Sequence, residues 1–190
     1  MRGRRGGGHQ VTSVRRHAFE CSAWPAHAGE VAALIRTHDW AATPLGDIAS
    51  WSPSLRTTVG IMLTATQPAV LFWGDGLICL YNDAFARTKG AKAHPRMLGR
   101  PAGEGGLEGW DLIVPHLNRV LAGGAGASPP PVCAAYGGER DDASAGCSYC
   151  PVEDPEAPAG VGGVLLLCVE TTATAVHRRV EERLAAALRA

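Results

Sequence analysis

Between Ala69 and Phe85 the chain reads AVLFWGDGLICLYNDAF, an order of residues that few folds accommodate. Two runs rich in β-branched and aromatic residues, Ala69 to Trp73 and Leu77 to Tyr81, flank Gly74-Asp75-Gly76. That composition predicts two short strands and a three-residue hairpin loop, since glycine enters the left-handed conformations of tight turns without strain. The second run stops at Asn82-Asp83, either of which can accept backbone N–H bonds. A short helix, DAFARTKG, is predicted to start there and to close at Gly90.

The flanking segments supply what would cover such a hairpin. In GEVAALIRTHDW, Val31, Leu34 and Ile35 share one face of a short amphipathic helix. Ser52 is a candidate N-cap with Pro53 at the first helical position, predicting a helix to about Thr66 that buries Leu55, Val59, Met62 and Leu63 and ends by Pro68. A helix over 109–122 places Leu112, Ile113, Leu117, Val120 and Leu121 at helical spacing, with Pro115 in its first turn or kinking it, and Gly123-Gly124 closing it. Residues 125–145 are rich in Pro, Gly and Ala; the best strand candidate is Pro131 to Tyr136, as a weak strand or part of a long mobile loop. Two better strands follow, Gly146 to Val152 and the almost wholly apolar VGGVLLLCVE of Val161 to Glu170, which reads as a central strand. From Thr171 a helix is predicted to the last residue, with Ala173, Val176, Val180, Leu184 and Ala187 recurring at steps of three or four in a coiled-coil-like seam.

At 190 residues and 46% apolar content the chain suffices for one core. Its 18 basic and 18 acidic residues balance, so charge points to neither a nucleic-acid nor a membrane-surface partner. Residues 1–28 read as a disordered basic tail, with no apolar stretch long enough for an export signal or a membrane span. The expectations that follow are a cytoplasmic protein and six reduced cysteines.

LICLYNDAFARTKGAKAHPRMLGRP resembles the core pattern of PAS sensor domains, in which the second strand runs into Asn82, Ala84-Phe85, Gly90 and then Leu98-Gly99-Arg100-Pro101. A closer resemblance is to PAS domains at the N-terminus of bacterial sensor histidine kinases, often followed by GAF domains. It is carried by His38-Asp39-Trp40, Thr43-Pro44-Leu45-Gly46 and Trp51-Ser52-Pro53-Ser54-Leu55-Arg56 in the lead-in, then by Trp73-Gly74, Cys147-Ser148-Tyr149 and Gly162-Gly163-Val164. The resemblance implies an α+β PAS fold: an antiparallel sheet of about five strands with flanking helices. It divides the chain into a helical lead-in at 29–68, a core at 69–170 and a C-terminal signalling helix at 171–190. It also implies a non-catalytic sensory or signal-relay module of a two-component-type protein, a homodimer through the PAS surface and the C-terminal helix, and a downstream kinase or other effector. GASPPPVCAAYGGERDDASAG departs from the family where it has a well-formed strand, which puts that strand in question.

Trp73, Tyr81, Phe85, His116 and Tyr149 are the residues expected to line a ligand pocket; the four aromatics are also ordinary core residues by type, and a lone histidine on a helix is commonly satisfied locally or exposed. His116 lies in the helix that supplies the axial histidine of haem-binding PAS domains, so haem, flavin or no cofactor stay open, with none the leading expectation. LOV-type flavin chemistry is excluded, because no cysteine stands in an Asn-Cys-Arg-Phe-Leu context. Cys147 and Cys150 form a CxxC, the pattern of a redox pair or half a zinc site. A redox-, metal- or haem-responsive regulator using Cys147, Cys150 or His116 is thus one alternative, and a ligand-free dimerisation module another. On a strand, however, residues three apart face opposite ways, and no second CxxC follows, so no metal site is expected. GxSxG, HExxH and GxxxxGK[ST] are all missing from the sequence, so no catalytic residue is assigned.

Overall fold

The hairpin forms where the sequence places it, and the rest of the fold is arranged around it. The computed structural model describes residues 24–88, 91, 93–104, 107, 110–123 and 145–170. Its elements are α1 (Glu30–Thr37), α2 (Pro53–Thr64), β1 (Ala69–Trp73), β2 (Ile78–Tyr81), α3 (Asp83–Ala86), α4 (Trp110–Leu121), β3 (Ala145–Glu153) and β4 (Val161–Glu170), with single 3-10 turns at Trp40–Ala42 and Ile48–Ser50. The architecture is α+β, built on an antiparallel sheet in the order β2-β1-β4-β3. Four strands form among the described residues rather than about five. The segment expected to add another, Pro131 to Tyr136, lies outside those residues, as do Gly90, residues 1–23 and the C-terminal helix at 171–190.

Register assigns every strand residue to a face. Val70 pairs with Tyr81 and Leu166, Phe72 with Cys79 and Val164, and Tyr149 with Leu166, so all of these share one face. That face meets α4, since the Phe72 ring lies 6.0 Å from Trp110 and the Tyr149 ring 5.7 Å from His116. Leu71, Trp73, Ile78, Leu80 and Leu165 alternate to the other face, and α2 packs across all four strands there. With helices on both faces, β2 is buried throughout and β1 nearly so, which is why these strands read as unbroken apolar runs.

Local chemistry sets most helix ends. Ser52 Oγ accepts from Leu55 N and Pro53 occupies the first turn of α2, as the sequence predicts. The buried stripe of α2 is Leu55, Thr58, Val59 and Met62; Leu63 lies at its margin. Thr58 is tolerated inside because its hydroxyl donates to Ser54 O at 2.8 Å. Gly60 sits in the interior of α2 with nothing within 4 Å of the position a Cβ would take. Gly60→Ala is therefore expected to stabilise the fold by about 0.5–1 kcal/mol, read as an upward shift of the urea midpoint at unchanged slope. In α4, Ile113, Leu117 and Val120 are buried, whereas Leu112 points outward at 56% exposure. Pro115 lies beyond the first turn, and the carbonyl it leaves without a backbone donor, that of Asp111, is on an exposed residue.

The hairpin loop differs from the expectation by one residue. β2 begins at Ile78, and Leu77 joins the turn with φ 48°, donating to Gly74 O. Burial of the Leu77 side chain at 6% exposure, and the bond from Ala102 N to its carbonyl, hold a leucine where glycine is usual. The outer edge of β2 is covered by Gly99–Ala102: Gly99 N donates to Cys79 O and Cys79 N to Arg100 O. That pairing uses the backbone groups an open edge would leave for another chain.

Asn82 joins three parts of the fold. Its Oδ1 caps α3 through Phe85 N and also accepts from Ala69 N, while Nδ2 points at the carbonyls of Met62, Ala65 and Gln67, 2.8–3.2 Å away. The next residue, Asp83, accepts from Val31 N at 2.7 Å and so caps α1, whose own N-cap, Gly29, offers no side chain. A Cβ at Gly29 would collide with that carboxylate. The packed lead-in begins before residue 29. Trp24 stacks edge-on against Trp51, and Arg36 donates to the carbonyls of Pro25 and His27.

Candidate functional site

The five pocket candidates separate into three places. Tyr81 and Phe85 meet at one margin of the α4 face, with ring centroids 5.6 Å apart. His116 and Tyr149 meet at the opposite margin, where β3 is the outer strand. Trp73 faces the other way, beside α2. Between the first two pairs the layer is occupied by Phe72, Ile113, Leu117, Val120 and Leu166, all with no exposed surface. A porphyrin or flavin laid against Tyr149 would have to displace them. His116 Nδ1 is buried without a hydrogen-bond partner, yet no group of three or more potential ligating side chains able to hold a metal occurs among the described residues.

Tyr81 takes part in a polar contact the sequence does not announce. Its hydroxyl lies 2.8 Å from His94 Nδ1, and His94 Nε2 lies 3.2 Å from Glu30 Oε1, which ties β2 to the start of α1. With Tyr81 O–H donating to Nδ1, the neutral ring carries its proton on Nε2 and donates to the carboxylate. Burial, with smaller contributions from Cys79 and Glu30, pushes the Tyr81 phenol well above its ordinary range, so it serves as a donor and not as an anion. Burial likewise raises the Tyr149 phenol, with Cys168 adding to it.

The CxxC is divided by the strand, Cys147 pairing with Cys168 and Cys150 with Leu165 on the opposite face. Cys147 is disulfide-bonded, whereas Cys79, Cys150 and Cys168 are free. Cys147 and Cys150 are therefore not bonded to each other, and the expectation of six reduced cysteines fails at Cys147. The Cys168 sulfur stands 3.2 Å from that of Cys147, and burial pushes its thiol up to about 12 from an ordinary 9.0. Cys79, wholly enclosed, is raised in the same direction.

A thiol held protonated is a poor nucleophile. Iodoacetamide at pH 8 is thus expected to modify the half-buried Cys150 in the native protein, and Cys79 and Cys168 only on unfolding, as mass spectrometry of digests would show. Because the folded value lies above the unfolded one, the stability held by each buried thiol is full below about pH 8.5. It falls as pH climbs toward the folded value, so the urea midpoint should drop on the alkaline side.

The lead-in adds contacts that sequence spacing could not place. Trp40 lies between His38 and Trp51, with centroids 4.5 and 4.8 Å away, and its Nε1–H donates to Ile35 O. Gly99, at φ 75°, lets the β2-edge segment approach this cluster; a Cβ there would stand 2.8 Å from His38 Nε2 and 3.0 Å from Trp40. Ser52 Oγ donates to Asp154 Oδ2 at 2.6 Å, joining the N-cap of α2 to the loop between β3 and β4. Paired tryptophans and an isolated Ser-Pro were the only sequence signals of these contacts. Beside the Ser52–Asp154 bond, Trp73 lines a cleft of about 410 Å³ at the rim of the sheet.

No protein-family model and no curated protein matches the chain. Over the described residues the chain is an α+β domain on a four-stranded antiparallel sheet, and no helix among them is long and apolar enough to cross a membrane.

Proposed function

We propose that the chain is a non-catalytic signal-relay domain of PAS type, the input module of a bacterial two-component-type signalling protein. The observation that carries this reading is the position of β4. It pairs with β1 on one side and β3 on the other, and its last residue, Glu170, leads straight into the Thr171-Thr172 that open the predicted C-terminal helix. Either threonine can cap that helix, leaving almost no slack between sheet and output. On the input side, the lead-in is fastened to the same sheet through Asn82, Asp83 and the Ser52–Asp154 bond. Motion of the lead-in is thereby transmitted to β1 and on to β4, provided that two packings lie close in free energy.

In this reading the seam at Ala173, Val176, Val180, Leu184 and Ala187 pairs two copies in parallel, too short to hold alone and helped by the domain surface. Sedimentation equilibrium is expected to show a weak dimer, and Val180→Asp to lower the dimer fraction with the thermal melt unchanged. Relay itself is tested by joining the chain to a histidine kinase core through linkers lengthened one residue at a time. Output should rise and fall with the heptad repeat, about every 3.5 residues. A flat response, or a monomer at high concentration, overturns the proposal.

A further inference from the structure

The cleft beside Trp73 has walls of two kinds. Trp73, Trp51, Leu55 and Ile78 supply an apolar side, while Asp75, Asp154 and Glu156 supply carboxylates. No lysine, arginine or histidine is among the described residues that line it. Asp154 is the most enclosed of the three acids, at 5% exposure. Among the described residues, the donors to its oxygens are neutral: Ser52 O–H at 2.6 Å and the backbone N–H of Glu156 at 3.1 Å. A concave, partly apolar space lined by carboxylates without cations concentrates negative potential.

The cleft is shaped by glycine. At Gly162 a Cβ would stand 2.7 Å from Asp154 Cβ and 2.8 Å from the Trp73 ring, and at Gly163 only 2.6 Å from that ring. The two glycines thus allow the Trp73 indole to lie against the β4 backbone, next to the enclosed carboxylate. The acids do not converge as metal ligands would, since no group of three or more able to hold a metal ion occurs among the described residues. Spread charge beside an indole suits a larger cation whose own surface is apolar, held by the ring face and balanced by the acids at a distance.

We infer that this cleft binds a small organic cation of the alkylammonium class, with Trp73 as the aromatic wall and Asp154, Asp75 and Glu156 as the countercharge. The site stands on its own geometry, whether or not the domain relays a signal.

Tetramethylammonium chloride is the probe, titrated into the full chain at constant ionic strength while the indole N–H resonances and tryptophan fluorescence are followed. Saturable binding is expected, with the largest shift at Trp73. The neutral isostere neopentane is sparingly soluble, so 3,3-dimethylbutanol set against choline supplies the charge comparison, and choline should bind at least tenfold more tightly. Trp73→Leu should weaken tetramethylammonium about tenfold and Trp73→Phe much less, so the pair separates a lost ring from a disturbed fold. Asp75→Asn with Glu156→Gln, which leaves the Asp154 side chain in place, should weaken it severalfold. Equal binding of the neutral alcohol, the same response to calcium chloride, no saturation, or full affinity in Trp73→Leu would each overturn the inference.

Discussion

Asn82→Ala is expected to remove about 4 kcal/mol from the folded state, a large share of the 5–15 kcal/mol that holds a typical domain together. The side chain is 1% exposed, and its amide faces two backbone donors, in β1 and α3, and three backbone carbonyls, one in α2 and two in the connection from α2 to β1. Alanine takes away the buried acceptor of Ala69 N and Phe85 N and the donor to the carbonyls of Ala65 and Gln67, while Met62 O keeps its bond from Ala65 N; each buried group that loses its bond costs about 1–3 kcal/mol. Asn82→Asp separates the two roles of the amide. It keeps an acceptor for Ala69 N and Phe85 N but turns an anion toward the carbonyls of Met62, Ala65 and Gln67. Its loss should be at least as great at pH 7 and should shrink as pH falls, because protonation restores a donor and the folded state then binds the proton more tightly than the unfolded chain. Urea midpoints at pH 7 and pH 4.5 check both statements. A loss below about 1 kcal/mol for alanine would mean that these bonds are replaced by water.

Gly163→Ala is the second large effect, expected at about 2–3 kcal/mol. An added Cβ would meet Trp73 Cε3 at 2.6 Å and the Phe72 carbonyl oxygen at 2.7 Å. The ring can turn toward the cleft, but the carbonyl belongs to the neighbouring strand and moves only if the β1–β4 ladder does. Combining Gly163→Ala with Trp73→Leu should therefore recover part of the loss and not all of it, a coupling that a double-mutant cycle measures. Gly60→Ala is the control, the same chemical change where nothing stands within 4 Å, and it should carry the opposite sign.

Sequence by itself determined the local elements. The hairpin around Gly74-Asp75-Gly76, the Ser52-Pro53 start of α2, the cap at Asn82, the Ile113, Leu117 and Val120 stripe and the two long strands all follow from preferences acting within a few residues. Some boundaries moved: the helix after Asn82 ends at Ala86, short of Gly90, α2 ends at Thr64, and β3 runs from Ala145 to Glu153. Leu77 entered the turn because burial and the Ala102 bond held it there, and Thr58 is accepted on one flank of the α2 stripe because its hydroxyl donates to Ser54 O, while Leu63 lies on the other flank. Tertiary structure alone decided which elements meet. The strand order, the burial of both sheet faces, the capping of α1 by Asp83 and the Ser52–Asp154 bond are contacts between residues separated by up to 102 positions. No pattern within a short window encodes them, because they are fixed by which apolar faces can be covered together once the chain has closed its loops. The candidate site shows the same division. Aromatic side chains were legible as a set, but the alternation of β1 and β2 sends Trp73 to one side of the sheet and Tyr81 to the other, and the cleft beside Trp73 forms where the loops after β1 and β3 meet the lead-in between Pro44 and Leu55.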